Sequence, residues 1–182
     1  MSTQALSRDH LTLALKRAIR DVPDFPKPGV VFKDITPVLA DPRLFGQVVE
    51  AMAAPWRAQG ITHVVGIESR GFILGAPVAL ALGAGFVPIR KPGKLPFATR
   101  FEEYALEYGT DRLEVHVDAC DAGARVLIVD DVLATGGTAA AACRLVEAVG
   151  GEVMGLSFLL ALGFLGGEKA IAGRRAESLL VF

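Results

Sequence analysis

The chain is predicted to fold as an α/β protein, with a mainly parallel open sheet flanked by helices, and three observations in its 182 residues lead there. Short β-branched runs alternate with helix-compatible stretches, the pattern of strand–helix–strand units. Val126 to Val129 is apolar at every position rather than every second one, as in a strand covered on both faces. Charged and hydroxyl residues gather where strands give way to helices, and open sheets place their ligands at the carboxyl ends of strands. A length of 182 residues suits one domain, and 52% hydrophobic residues suffice for a buried core.

The elements follow in order. Residues 4–20 mix Leu6, Leu11, Leu13, Leu15 and Ile19 with Arg8, Asp9, Lys16, Arg17 and Arg20, an amphipathic helix. Pro23, Pro26 and Pro28 then punctuate a loop. Asp41 is placed to cap a second helix with Pro42 at its first position, and Gly60 is its stop unless Pro55 breaks it first. Strands are expected at 62–67, 85–89, 112–117, 125–129, 152–162 and 178–182, with helices at 72–82 and 139–149. No internal repeat or low-complexity tract appears. Residues 91–108 interrupt the alternation, combining Pro92, Gly93 and Pro96 with Phe97, Phe101, Tyr104 and Tyr108. A connection of that length reads as a functional lid or a disordered segment, with a surface hairpin as the lesser alternative on composition.

Composition narrows the function. A net charge of −1 supplies no electrostatic footprint for nucleic acid. Cys120 and Cys143 are not in a CxxC arrangement, so they read as plain thiols of a reducing compartment. The amino-terminal stretch is too polar for a signal-peptide core, and the longest apolar run, 153–165, falls short of the roughly 20 residues of a membrane span. The expectation is a cytoplasmic protein that acts on small molecules, with no membrane and no nucleic-acid partner.

The most informative stretch is VLIVDDVLATGGT, residues 126–138. Ala134, Thr135, Gly136, Gly137 and Thr138 open an alanine-rich helix, whose unpaired N–H groups and partial positive charge suit a phosphate, while glycines let the backbone come close. Asp130 and Asp131 precede them. Ionised carboxylates only accept hydrogen bonds, so beside a phosphate cradle they match paired hydroxyls such as those of ribose. A Walker A loop needs a Gly-Lys-Ser/Thr ending and a dinucleotide fingerprint needs its glycines before any acid; neither is present. Glu68-Ser69-Arg70-Gly71 also lies between a strand and a helix, where a second anion pocket can form. Taken singly, Arg70 also fits a solvated surface arginine, Arg90-Lys91 a solvated charge pair, and Phe32 a core residue.

The string 126–138 resembles the type I phosphoribosyltransferases, whose signature is an apolar strand, two acidic residues and a Thr-Gly-Gly-Thr loop. FPKPGVVFKDITPVLADP (25–42), GIESRGFILGAPVA (66–79), IRKPGKLP (89–96) and ALEYGTDRLEVH (105–116) narrow the resemblance to that family's adenine branch. The resemblance implies the family's fold over 1–182 as a single domain, with an N-terminal arm and base-binding hood in 1–36 and a mobile catalytic loop at 91–108. It implies transfer of ribose phosphate from phosphoribosyl pyrophosphate to adenine, giving AMP and pyrophosphate, with Mg²⁺ carried by the substrate rather than by a protein metal site, and a homodimer in which Arg90 reaches the neighbouring subunit's site. Residues 134–138 then hold the 5′-phosphate and Asp130 with Asp131 the ribose hydroxyls. Glu68, Ser69, Arg70, Arg90 and Lys91 serve the pyrophosphate, with a cis peptide between Glu68 and Ser69. Phe32 stacks on adenine, the backbone of Val31 and Lys33 reads its edge, and Val132 faces its other side; Lys33 stands where arginine is frequent in the family. Glu107 matches the lid glutamate that acts as acid or base, and Tyr108 orients substrate.

Overall fold

A computed structural model describes residues 8–105 and 110–182, which fall into two compact units, Met1–Ala51 and Met52–Phe182. In the first unit α1 (Arg8–Ala18) buries Leu11 and Leu15, one turn apart on one face. β1 (Arg20–Pro23) and β2 (Val31–Asp34) pair antiparallel, with Val22 opposite Phe32 and Asp21 opposite Lys33. The prolines expected to mark a loop thus sit at the end and in the turn of a hairpin, where no ladder N–H is needed of them. Asp24 carries the turn at φ 57°, and its carboxylate accepts the Gly29 N–H at 2.8 Å. A short helix not foreseen from the sequence, α2 (Thr36–Ala40), starts with Pro37 in its first turn. Asp41 caps α3 (Pro42–Ala53) as expected, its Oδ1 accepting the N–H groups of Arg43 at 2.9 Å and Leu44 at 3.1 Å, a contact worth about 1 kcal/mol.

In the second unit the helix gives way at once to a 3₁₀ turn, Ala54–Trp56, so Pro55 does break it, as a proline without an N–H must. There follow β3 (His63–Ile67), α4 (Arg70–Leu82), β4 (Gly85–Ile89), β5 (Thr99–Ala105), β6 (Thr110–His116), β7 (Arg125–Leu133), α5 (Gly137–Ala148), β8 (Glu152–Ala161) and β9 (Ala176–Val181). Five strands form a sheet in the order β4-β3-β7-β8-β9, every neighbouring pair parallel. The predicted parallel α/β sheet is therefore present. Val126, Leu127, Ile128 and Val129 are fully buried at its centre, each worth about 1.5–3 kcal/mol of transfer free energy. Among the described residues no helix is long and apolar enough to cross a membrane.

Two elements depart from expectation. β7 runs four residues beyond Val129, because Val132 and Leu133 continue the ladder against Leu160 and Ala161 of β8. The carboxylates therefore stand within a strand rather than after it. Part of the segment 91–108 is also regular: β5 pairs antiparallel with β6, burying Tyr104 on one face while Phe101 stays exposed under the Arg112 guanidinium, 4.0 Å from its ring centroid. Charge at three of the seven β5 positions had hidden the period of two.

Candidate active site

The site grows from two adjacent parallel strands. Val65 and Gly66 of β3 lie beside Ile128 and Val129 of β7, so the strand-to-helix turns after them open at one edge of the sheet. On β7 the Asp131 side chain is almost wholly buried, at 7% exposure, and its carboxylate is ion-paired with Arg70 Nε. Burial, and after it the charge of Asp131, push the Asp130 carboxyl well above the usual carboxylate range. The first turn of α4 presses against it: a Cβ on Gly71 would lie 2.9 Å from both Asp130 Oδ1 and the Val129 carbonyl oxygen.

The turn after β7 carries no charge. Gly136 adopts φ 82°, a left-handed conformation that glycine takes without cost, and caps α5. Its shape depends on a distant 3₁₀ turn, Gly167–Ile171. A Cβ on Gly136 would approach the Gly167 carbonyl oxygen to 2.3 Å, and one on Gly167 would approach that of Ala134 to 2.1 Å. With Thr135 and Thr138 alongside, the amino end of α5 has the donors and dipole to hold a phosphate.

The turn after β3 is strongly charged. Its Glu68–Ser69 peptide is cis, as the resemblance implied. Glu68 receives two hydrogen bonds from Arg90, both at 3.2 Å, and the Lys91 N–H at 3.0 Å. Burial alone would raise the Glu68 pKa, but the Lys91 N–H and the Arg90 guanidinium outweigh it and hold the carboxyl below its usual value. The Lys91 ammonium pairs with Asp111 and bonds Tyr104 Oη at 3.1 Å, while that hydroxyl donates to the same Asp111 oxygen at 2.9 Å. Burial would lower the Lys91 pKa, yet the bonds to Asp111 and Tyr104 raise it, so the side chain stays charged.

A cavity of about 280 Å³ brings these parts together. Of the residues singled out from the sequence, Glu68, Ser69, Arg70, Lys91, Asp130, Asp131, Val132, Ala134, Thr135, Gly136 and Thr138 line it. Arg90 and Gly137 do not; Arg90 instead braces Glu68 and bridges to Glu114 of β6 through backbone bonds of 2.9 and 2.7 Å. Val31, Phe32 and Lys33 belong to β2 of the first unit, where Phe25 meets Phe32 edge-on at 5.2 Å and Lys33 Nζ binds Asp21 at 2.6 Å. Glu107 and Tyr108 lie outside the described residues. Sequence reasoning missed Tyr104, Leu113, Leu133 and Ala139 of the lining, and also Asp111 and Gly167, which act on it from behind. The Gly166-Gly167 pair was the one visible signal for the last. Among the described residues no group of three or more His, Cys, Asp or Glu side chains could hold a metal ion.

Comparison with known proteins shows the family. A family model described as a phosphoribosyl transferase domain matches residues 39–169. An adenine phosphoribosyltransferase of Myxococcus xanthus is 61% identical over 178 residues, 98% of this chain and 97% of that protein. The crystal structure of adenine phosphoribosyltransferase from Rhodothermus marinus, 56% identical, superposes with a TM-score of 0.92 and covers 96% of this chain and 99% of its own. That of Saccharomyces cerevisiae, complexed with adenine and an imino-altritol bisphosphate, is 40% identical with a TM-score of 0.89, covering 94% of this chain and 99% of its own.

Proposed function

The chain belongs to the phosphoribosyl transferase family, in its adenine phosphoribosyltransferase branch, and from that premise we propose which of its residues carry the reaction. It is a pentosyltransferase of purine salvage that converts adenine and 5-phosphoribosyl 1-pyrophosphate to AMP and pyrophosphate. The observation that carries the assignment of roles is the single cavity into which an uncharged helix start, a charged turn and two carboxylates all open.

Each part answers one part of the substrate. The 5′-phosphate sits at the amino end of α5, held by residues 134–138 through N–H groups and the hydroxyls of Thr135 and Thr138. Asp130 and Asp131 accept hydrogen bonds from the ribose hydroxyls, and their negative charge favours the positive sugar as its bond to pyrophosphate breaks. Pyrophosphate lies at the 68–70 turn against Arg70 and Lys91, with Arg90 bracing Glu68 behind it. Adenine takes the hood, stacked on Phe32 with the Val31 and Lys33 backbone reading its edge. As its ring nitrogen bonds the anomeric carbon and pyrophosphate departs, the ring proton passes to Glu107, with Tyr108 orienting substrate. Residues 1–182 serve as a single transferase domain, with 91–108 as the covering loop.

Mg²⁺ fits this reading as a passenger of phosphoribosyl pyrophosphate. Glu68, Asp130 and Asp131 offer hard oxygen beside the phosphates, and the ion supplies neutralisation of their charge. A homodimer is supported by the apolar face of α4 and β4, which leaves Ile73, Leu80 and Phe86 exposed. The compartment is the cytoplasm, in keeping with two free thiols.

Base choice tests the assignment. The chain, phosphoribosyl pyrophosphate and Mg²⁺ are incubated in turn with adenine, hypoxanthine, guanine, xanthine, uracil and orotate, and nucleotide and pyrophosphate are measured. Adenine is expected to exceed the rest by at least about 10²-fold, because the wrong base leaves buried polar groups unpaired. A preferred 6-oxopurine or pyrimidine would overturn the adenine assignment.

A further inference from the structure

Every cation read as serving the pyrophosphate is already matched with a carboxylate: Arg70 with Asp131, Arg90 with Glu68, and Lys91 with Asp111. Two of those carboxylates line the cavity and have duties there. Asp111 does not line it, and the reaction as assigned makes no use of it. Yet it stands directly across the β5–β6 ladder from Tyr104, and the two side chains close a triangle of hydrogen bonds on the Lys91 ammonium.

We propose that Asp111 is an affinity-setting residue, an internal counter-ion that occupies Lys91 in the substrate-free enzyme and yields it to the incoming pyrophosphate. The inference rests on the assignment of Lys91 to the anion subsite. Lys91 is tethered at its root, where its N–H is bound to Glu68 at 3.0 Å, while its ammonium end is held only by side chains. The Lys91–Asp111 pair is partly solvated, with side-chain exposures of 39% and 28%. Partly solvated pairs of this kind are weak, so a multiply charged anion can displace the carboxylate. The Tyr104 hydroxyl, bonded to both partners, keeps the ammonium near the cavity when the carboxylate is given up. Asp111 thereby screens a permanent positive charge and weakens the hold on an anion that has to leave.

The test is titration calorimetry of magnesium pyrophosphate into the full-length chain and its variants. Asp111→Asn keeps the hydrogen-bonding shape and removes the charge, and it is expected to bind roughly three- to fivefold more tightly than wild type. Asp111→Glu restores the charge and is expected to stay near the wild-type value. Glu103→Gln, on the same hairpin but paired with Arg112 at 3.1 Å, controls for the general field and is expected to leave affinity unchanged. In steady-state assays Asp111→Asn should lower KM for phosphoribosyl pyrophosphate and leave that for adenine alone. Misfolding cannot imitate a gain in affinity. Unchanged or weaker binding by Asp111→Asn overturns the proposal, as does an equal gain in Glu103→Gln. Failure of the wild-type chain to bind pyrophosphate at all would remove the subsite assignment as well.

Discussion

The two strand-to-helix turns that open into the cavity are built alike and equipped in opposite ways. Both follow buried strands of one parallel sheet and both start a helix of more than ten residues. The turn after β7 offers backbone N–H groups, hydroxyls and glycines, whereas the turn after β3 offers Glu68 and Arg70, with Arg90 and Lys91 beside it. The difference follows the chemistry of the two phosphates. On the assignment proposed above, the 5′-phosphate keeps its charge and its place through the reaction, and fixed dipoles would hold it without a counter-ion that has to be exchanged. Pyrophosphate gains charge as it leaves, and side-chain cations with partners of their own would take it up and let it go.

The largest way to break the contrast is at Gly136. Gly136→Ala sets a β-carbon at φ 82° and within 2.3 Å of the Gly167 carbonyl oxygen. The turn has no flexible side chain to yield, so we expect a loss of about 3 kcal/mol or more in denaturant unfolding, or loss of ribose 5-phosphate binding if the helix start retreats instead. A variant with wild-type stability and wild-type ribose 5-phosphate affinity would show that the dipolar turn is not a rigid cradle.

Arg70→Gln sharpens the same contrast from the other side. Removing a charge-assisted partner should weaken pyrophosphate by roughly 10- to 100-fold, with ribose 5-phosphate affected far less. Equal losses for the two ligands, measured by calorimetry, would mean that the turns do not divide the substrate between them.

The smallest effect concerns Asp130, which lies between the two. Its pKa in the folded chain stands above the unfolded value, so the stability it contributes is present below about pH 3.9 and is lost as pH rises through the folded value. At pH 7 the wild type bears that cost and Asp130→Asn does not. The variant should melt roughly 2–4 °C higher at pH 7, with the gain shrinking toward pH 4, while it binds phosphoribosyl pyrophosphate more weakly. A lower melting temperature at pH 7 would contradict a buried carboxyl whose ionisation folding disfavours.

Much of this was legible in the chain because it rests on local rules. Val126 to Val129 declared a doubly covered strand, Asp41 and Pro42 a helix start, and residues 134–138 the opening of a further helix, while Pro55 was the alternative to Gly60 as the stop and proved to be the break. What escaped was decided by partners far along the chain. β1 and β2 were hidden by the prolines of their own turn, and β5 by charges that obscured its alternation. The Lys91–Asp111 pair spans twenty positions and exists only because the hairpin register sets Tyr104 opposite Asp111. Gly167 shapes the phosphate turn through backbone contacts that no motif records.

That last contact also limits how the protein can change over generations. Gly136 and Gly167 each occupy the space a β-carbon on the other segment would need, so neither position can accept a side chain in a single step without loss. The atoms in the way are backbone carbonyl oxygens, so a substitution on one segment makes no room on the other, and a differently shaped turn requires the two backbones, some thirty residues apart in the chain, to move away from each other.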